Sequence, residues 1–246
     1  WLNMNLKGVL LAGANLEKAL LTGSDFSGAD LSGANLTRAV MDHAVLIAAN
    51  LSGANLFKTV LFEASLKAAD LSGAELTRTV FFKADLTGAN LAGAKVHKAF
   101  LRDCLLAGQD FRDGEFSCVQ AGGADLTGAV FAGADVNRSN FMNAKLAGAD
   151  FTGAKGYGAV FLEADLTGAL MSGGQFTNSC FEGADLSGAD LSGARLDQSL
   201  LTKIVCPGAL FKDSDCTFSD FSHADLSRAD FSGAAMSRAR MHRTLE

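Results

Sequence analysis

The chain keeps a five-residue period without a break for almost its whole length. Every fifth residue from Leu6 to Met241 gives 48 positions, and all but Ala121, Gly156, Cys206 and Cys216 are Leu, Phe, Met or Val. Thirteen of the 18 Phe fall in this register, among them Phe81, Phe131, Phe161, Phe181 and Phe231. Two residues before each of these centres the chain is small: 32 of the 48 positions are Ala. The residue between is often Asp or Asn, so the unit reads A-(D/N)-L-x-G, as in Ala29-Asp30-Leu31-Ser32-Gly33.

A period of five matches neither the 3.6 of a helix nor the simple alternation of a strand. It suits a coil in which each unit makes one short extended side and one corner. Large and small apolar residues two apart point the same way along an extended backbone, and that way is inward. Gly following the centre, as at Gly28, Gly53, Gly128 and Gly188, supplies the backbone freedom a corner requires. A single Pro in the chain fits a backbone whose N–H groups are wanted for bonds to the next coil.

This in-phase array resembles the pentapeptide-repeat family, and the resemblance covers essentially all 246 residues. It implies an all-β fold, a right-handed quadrilateral β-helix with four five-residue faces per 20-residue coil and about 12 coils. At a strand spacing of ~4.8 Å such a rod is roughly 58 Å long. One domain spanning residues 1–246 is expected. Distortions such as a bulge or bend are expected near 104–121, where Gln109 and Val119 occupy small positions, and near 200–216, where Ile204 and Pro207 do not match the template.

In a 20-residue coil, residues 20 apart stack on one face, which turns the sequence into a surface map. Leu20, Val40, Val60, Val80 and Phe100 form an apolar column over five coils, with Phe62 and Phe82 on the same face. Beside it runs a basic ladder, Lys18, Arg38, Lys58, Arg78 and Lys98. Such a column is either ordinary ladder packing of β-branched neighbours in register or, as a contiguous apolar patch, a docking surface. Like charges ~4.8 Å apart repel, and an anionic partner relieves that repulsion; Glu17 and Glu75 are the nearby acids. Asp30, Asp70, Asp110, Asp150, Asp190 and Asp230 share another column, and Asp25, Asp85, Asp125, Asp165, Asp185 and Asp225 the next. Those acids serve solubility and local side-chain-to-backbone bonding, or else imitate a nucleic-acid backbone.

Composition narrows the function. A chain that is 48% hydrophobic is not intrinsically disordered, and no stretch approaches the ~20 apolar residues of a membrane helix. A net charge of -6 argues against direct nucleic-acid binding. Five Cys at irregular spacing fit a reducing compartment; with the bacterial setting that the resemblance implies, a bacterial cytoplasm is expected, with a secreted effector as the other option. The chain opens at Trp1 rather than Met, which reads as a processed chain or a fragment. His43, His97, His223 and His242 show no metal-ligand spacing, and no phosphate loop or nucleophile–base arrangement is legible. No catalytic, metal or cofactor residue is therefore assigned. The expected function is a non-catalytic scaffold that presents a β-helix face to a protein partner, and the resemblance implies that such a scaffold serves as a bacterial adaptor or effector module. The alternative, implied by resemblance to the fluoroquinolone-resistance members of the family, is a DNA mimic that binds and protects DNA gyrase. The chain lacks the loops typical of those members, and a basic ladder is at odds with DNA mimicry. At the C-terminal end of the rod, the resemblance to a family with members that dimerise through their last coils implies an end-to-end homodimer through Met236 and Met241.

Overall fold

The computed structural model describes residues 1–245. Its backbone winds as a four-sided right-handed β-helix, held by 43 parallel bridges that each join residues 20 apart. Four columns of bridge residues, starting at Asn5, Leu10, Asn15 and Leu20, mark the four faces.

Hydrogen bonding explains why the unit has five residues. In the unit centred on Leu21, the Leu21 N–H donates to the Val40 carbonyl at 2.7 Å and the Gly23 N–H to the Asp42 carbonyl at 2.8 Å. The Ser24 N–H closes a turn on the Leu21 carbonyl at 3.1 Å, and the Asp25 N–H donates back to the Met4 carbonyl at 2.8 Å. Four of the five N–H groups are thus used by the backbone. The fifth belongs to the residue after the centre, and where the outward residue before the centre is Asp or Asn, its side chain takes it. Ser27 donates to Asp25 Oδ1 at 3.0 Å and Ser52 to Asn50 Oδ1 at 3.0 Å. This is the Asx bond that Asp and Asn make two residues ahead, and it explains their place in the repeat.

The second residue after each centre has φ between 51° and 73° at all 48 positions, of which 23 are Gly, and Asn3 ahead of the first centre adopts the same conformation. A turn closed from residue i to i+3 with positive φ at i+2 is type II. Pro is favoured at i+1 of that turn, which is where Pro207 stands, on the N–H that the ladder does not use. Through residues 200–216 the ladder bonds accordingly continue; the departure is confined to the turn at Ile204, whose closing bond is absent.

Inside, centres and small residues fill the tube. From Leu31 to Leu76 the centres are Leu with one Met, and nearly all are fully buried. From Phe111 to Phe181 they become two phenyl ladders. Phe131 stacks on Phe151 with centroids 4.7 Å apart, Phe161 stacks on Phe181 at 4.8 Å, and the two ladders meet edge-on, as between Phe151 and Phe161 at 89°. Gly156 is a centre without a side chain because the Phe176 ring fills its place: a Cβ there would lie 2.4 Å from Phe176 Cδ1. Polar residues at small positions return their hydroxyls to the backbone, as Thr59 does to the Leu36 carbonyl at 2.7 Å.

The leucine and phenyl cores meet at a seam. The bridges Asn90 to Asp110 and Lys95 to Glu115 are the two missing from an otherwise unbroken series. The N–H groups of Gly88, Leu91, Gly93, Val96, Asp110 and Glu115 make no backbone bond across it. The adjoining faces stay closed, with Leu86 N–H to the Leu105 carbonyl at 3.1 Å and Lys98 N–H to the Ser117 carbonyl at 3.0 Å. A cleft of about 130 Å³ opens there, with Leu91 and Val96 below and Phe111 and Phe116 above. Gln109 stands buried in a small position and donates from Nε2 to the Leu86 carbonyl at 3.2 Å. That oversized side chain, with Phe111 and Phe116 centred 4.8 Å apart in the same coil, gives the upper coil a wider core than Leu91 and Val96 match below.

Candidate functional site

The five outward residues of the apolar column are consecutive rungs: Leu20 bridges Val40, Val40 bridges Val60, Val60 bridges Val80, and Val80 bridges Phe100. Leu20 is 58% exposed and Phe100 45%, while the three Val between them are half-buried by their neighbours. Beyond Phe100 the column turns polar at Gln120 and Asn140 and becomes apolar again at Val160, Cys180 and Leu200.

Both edges of this face are corners. One carries Lys18, Arg38, Lys58, Arg78 and Lys98, all at positive φ in the turns before each rung. Long side chains in the left-handed region cost about 1–2 kcal/mol each relative to unstrained backbone. Lys18 pairs with Glu17 at 3.0 Å. Glu75, the other acid expected to serve the ladder, turns instead to Lys95 at 3.9 Å. Among the described residues, Arg38, Lys58, Arg78 and Lys98 have no ion-pair partner, and Lys58 leans over the Phe57 ring at 5.1 Å.

On the other corner Phe62 and Phe82 stack with centroids 5.5 Å apart. His43 meets Phe62 edge-on at 5.4 Å, and Lys83 and Arg102 lie over Phe82 at 5.5 and 5.8 Å. Both rings are half-buried. Phe57, on the basic corner, extends the aromatic content of the face; the sequence reading missed it because it lies in another column, although its turn neighbours Lys58.

The acidic columns occupy other faces and are engaged locally. Each of the twelve Asp residues in the two columns accepts the N–H two residues ahead, for example Ser32 to Asp30 at 3.0 Å, Ser72 to Asp70 at 2.9 Å and Ser187 to Asp185 at 2.9 Å. Lys67 pairs with Asp85 at 3.1 Å and Lys212 with Asp230 at 3.2 Å. The Ser232 hydroxyl and N–H hold the Asp230 carboxyl down at about 2, and the same contacts from Ser27 and Ser227 hold Asp25 and Asp225 below the usual range. Val130, Leu170 and Leu210 interrupt the Asp30 column.

Remaining chemistry is sparse. Burial pushes the Cys104 and Cys206 thiols up to about 12 and the Cys216 thiol to about 11, which leaves them without thiolate character. No cluster of His, Cys, Asp or Glu among the described residues has metal-binding geometry, and no described helix is long and apolar enough to cross a membrane. Met241 is 41% exposed in the last coil, and Phe231 and Met236, on the faces before it, are half-buried.

No curated protein matches the chain in sequence. Among solved structures, the chain is similar to HetL, a pentapeptide repeat protein involved in heterocyst differentiation regulation from the cyanobacterium Nostoc sp. strain PCC 7120, at 29% identity and a TM-score of 0.45, over 98% of this chain and 88% of that one. It is also similar to QnrB1, a plasmid-mediated fluoroquinolone resistance protein, at 21% identity and a TM-score of 0.43, over 79% of this chain and 91% of that one. The pentapeptide repeat Rfr23 from the cyanobacterium Cyanothece 51142 aligns at 25% identity and a TM-score of 0.30, over 56% of this chain and 88% of that one. The model of pentapeptide repeats matches in eight copies, continuously from residue 3 to 173 and again over 206–243. With the match extending over most of its length, the chain belongs to the pentapeptide-repeat family.

Proposed function

We propose that this protein is a non-catalytic scaffold whose face between the Lys18 and Phe62 corners docks a protein partner. The observation that carries this reading is the coincidence, over the same coils, of an outward apolar column, a stacked aromatic pair and four cations without an acidic partner. Each of these features costs the isolated rod something: exposed apolar area, repulsion along the ladder, and side chains at left-handed turns. A partner that covers the face offsets the first two. The DNA-mimic reading has less support, because the acids are absorbed in turn bonds and ion pairs and their columns are broken by apolar residues.

The test is capture of partners from bacterial lysate by the wild-type rod and by a Phe62→Glu, Phe82→Glu double variant. Both rings lie outside the core, so the variant is expected to melt like wild type and to lose the partner. Retention of every captured protein by a folded double variant contradicts the reading. A subsidiary proposal is end-on homodimerisation through Met236 and Met241. Light scattering that gives a monomer at tens of micromolar, unchanged by Met241→Lys, excludes it.

A further inference from the structure

We infer that the ligand of this face is an acidic amphipathic α-helix laid along the rod axis. The inference rests on the docking reading and names the partner's chemistry.

Backbone accounting excludes one common mode of recognition. Along this face the N–H groups of the rungs are already committed: Val40 donates to the Ala19 carbonyl at 2.9 Å, Val60 to Ala39 at 3.0 Å and Val80 to Thr59 at 2.9 Å. The carbonyls are committed too, Val40 to the Leu21 N–H, Val60 to Met41 and Val80 to Leu61, so the N–H groups left over at Thr22, Asp42 and Phe82 alternate with no free C=O and a partner cannot add as a further strand here. It must bind through side chains.

Spacing then selects the helix. The rungs recur at ~4.8 Å along the axis. A helix repeats its side-chain stripe every ~5.4 Å, so over the four intervals from Leu20 to Phe100 the mismatch grows to only about 2.4 Å, within the reach of long side chains. An extended segment repeats on one side every ~6.7 Å, and its mismatch grows to about 8 Å. Four intervals span ~19 Å, which a helix of about 13 residues covers. Its apolar stripe would lie on Leu20, Val40, Val60 and Val80, and acidic residues on one flank would face Arg38, Lys58, Arg78 and Lys98. The apolar column separates this partner from nucleic acid, which offers charge without an apolar stripe, and the acid-rich neighbouring faces oppose a broad anionic surface such as a membrane.

The probe is a fluorescein-labelled, end-blocked 18-residue peptide with Leu at i, i+4, i+7 and i+11 and Glu along one flank, titrated by anisotropy into the full chain at low salt. Binding is expected to weaken at least tenfold in an Arg38→Gln, Arg78→Gln variant and in the Phe62→Glu, Phe82→Glu variant, both checked for an unchanged melt. A Lys-for-Glu peptide is expected not to bind. A peptide of the same composition broken by two central Pro is expected to lose at least tenfold, and equal binding of that peptide overturns the helical assignment. Binding of a 20-nucleotide single strand, or of phosphatidylserine vesicles, with the same dependence on Arg38 and Arg78 overturns the choice of a protein helix. Should the peptide fail to bind wild type while lysate capture still depends on Phe62 and Phe82, the helix inference fails and the docking surface stands.

Discussion

At the scale of the residue, the outward Asp or Asn works mainly as a turn clamp. Asn50 and Asn90 alternate with Asp30 and Asp70 in one column and accept the same N–H, at 3.0 Å from Ser52 and 3.1 Å from Ala92. The Asp70→Asn variant should therefore melt like wild type at pH 7. Acid separates the two residues. A carboxyl held below its unfolded value stabilises the fold above the unfolded pKa and loses that contribution as pH falls through the folded one. Asp25, Asp225 and Asp230 are all lowered, foremost by side-chain bonds from Ser27, Ser227 and Ser232. The melting temperature is accordingly expected to be level from pH 7 to about 5 and to fall between about pH 4 and 2. Replacing these three Asp by Asn should flatten that limb in a pH series of thermal melts; an unchanged limb counts against the clamp. In the core, Gly156→Ala drives a methyl into the Phe176 ring and should cost about 1–3 kcal/mol in chemical denaturation. An unaffected stability would place Phe176 elsewhere.

At the scale of the coil, the sequence is nearly transparent where the template holds. Period and inward side follow from Leu and Ala two apart, and the face follows from adding 20. The sequence shows less where two neighbouring coils must match each other. Gln109 is visible as an irregularity, but the opening it accompanies lies between its coil and the one below, where Asp110 and Glu115 part from Asn90 and Lys95. It reflects how Gln109, Phe111 and Phe116 fit over Leu91 and Val96, and no single unit carries that information. Gly156 is opaque for the same reason: its missing side chain is explained by a ring 20 residues away. The seam has a measurable consequence. In hydrogen exchange, Gly88, Leu91, Gly93 and Val96 should exchange at least tenfold faster than Leu86 and Lys98, whose bonds across the same pair of coils are intact. Uniform protection across residues 86–98 would show that the ladder is closed there.

At the scale of the molecule, a solenoid joins each coil only to its neighbours, so whole coils can be removed without disturbing the rest. The docking face depends on this geometry, because it is not contiguous in the chain and exists only if residues 20 apart coincide. Two deletions separate register from composition. Removing residues 41–60 takes out one full coil and joins Val40 to Leu61, which keeps the apolar column, the basic ladder and the Phe62–Phe82 stack in line. Removing only residues 41–45 keeps the five-residue pattern but rotates everything beyond Val40 by one face, so that Leu20 and Val40 no longer align with Val60 and Val80. Both deletions should fold with a single β-type circular dichroism spectrum. The most direct measurement is the affinity of the acidic helical peptide for the two proteins. The 20-residue deletion is expected to bind within tenfold of wild type and the 5-residue deletion to lose more than tenfold. Equal binding by the two would contradict a face built from 20-residue columns.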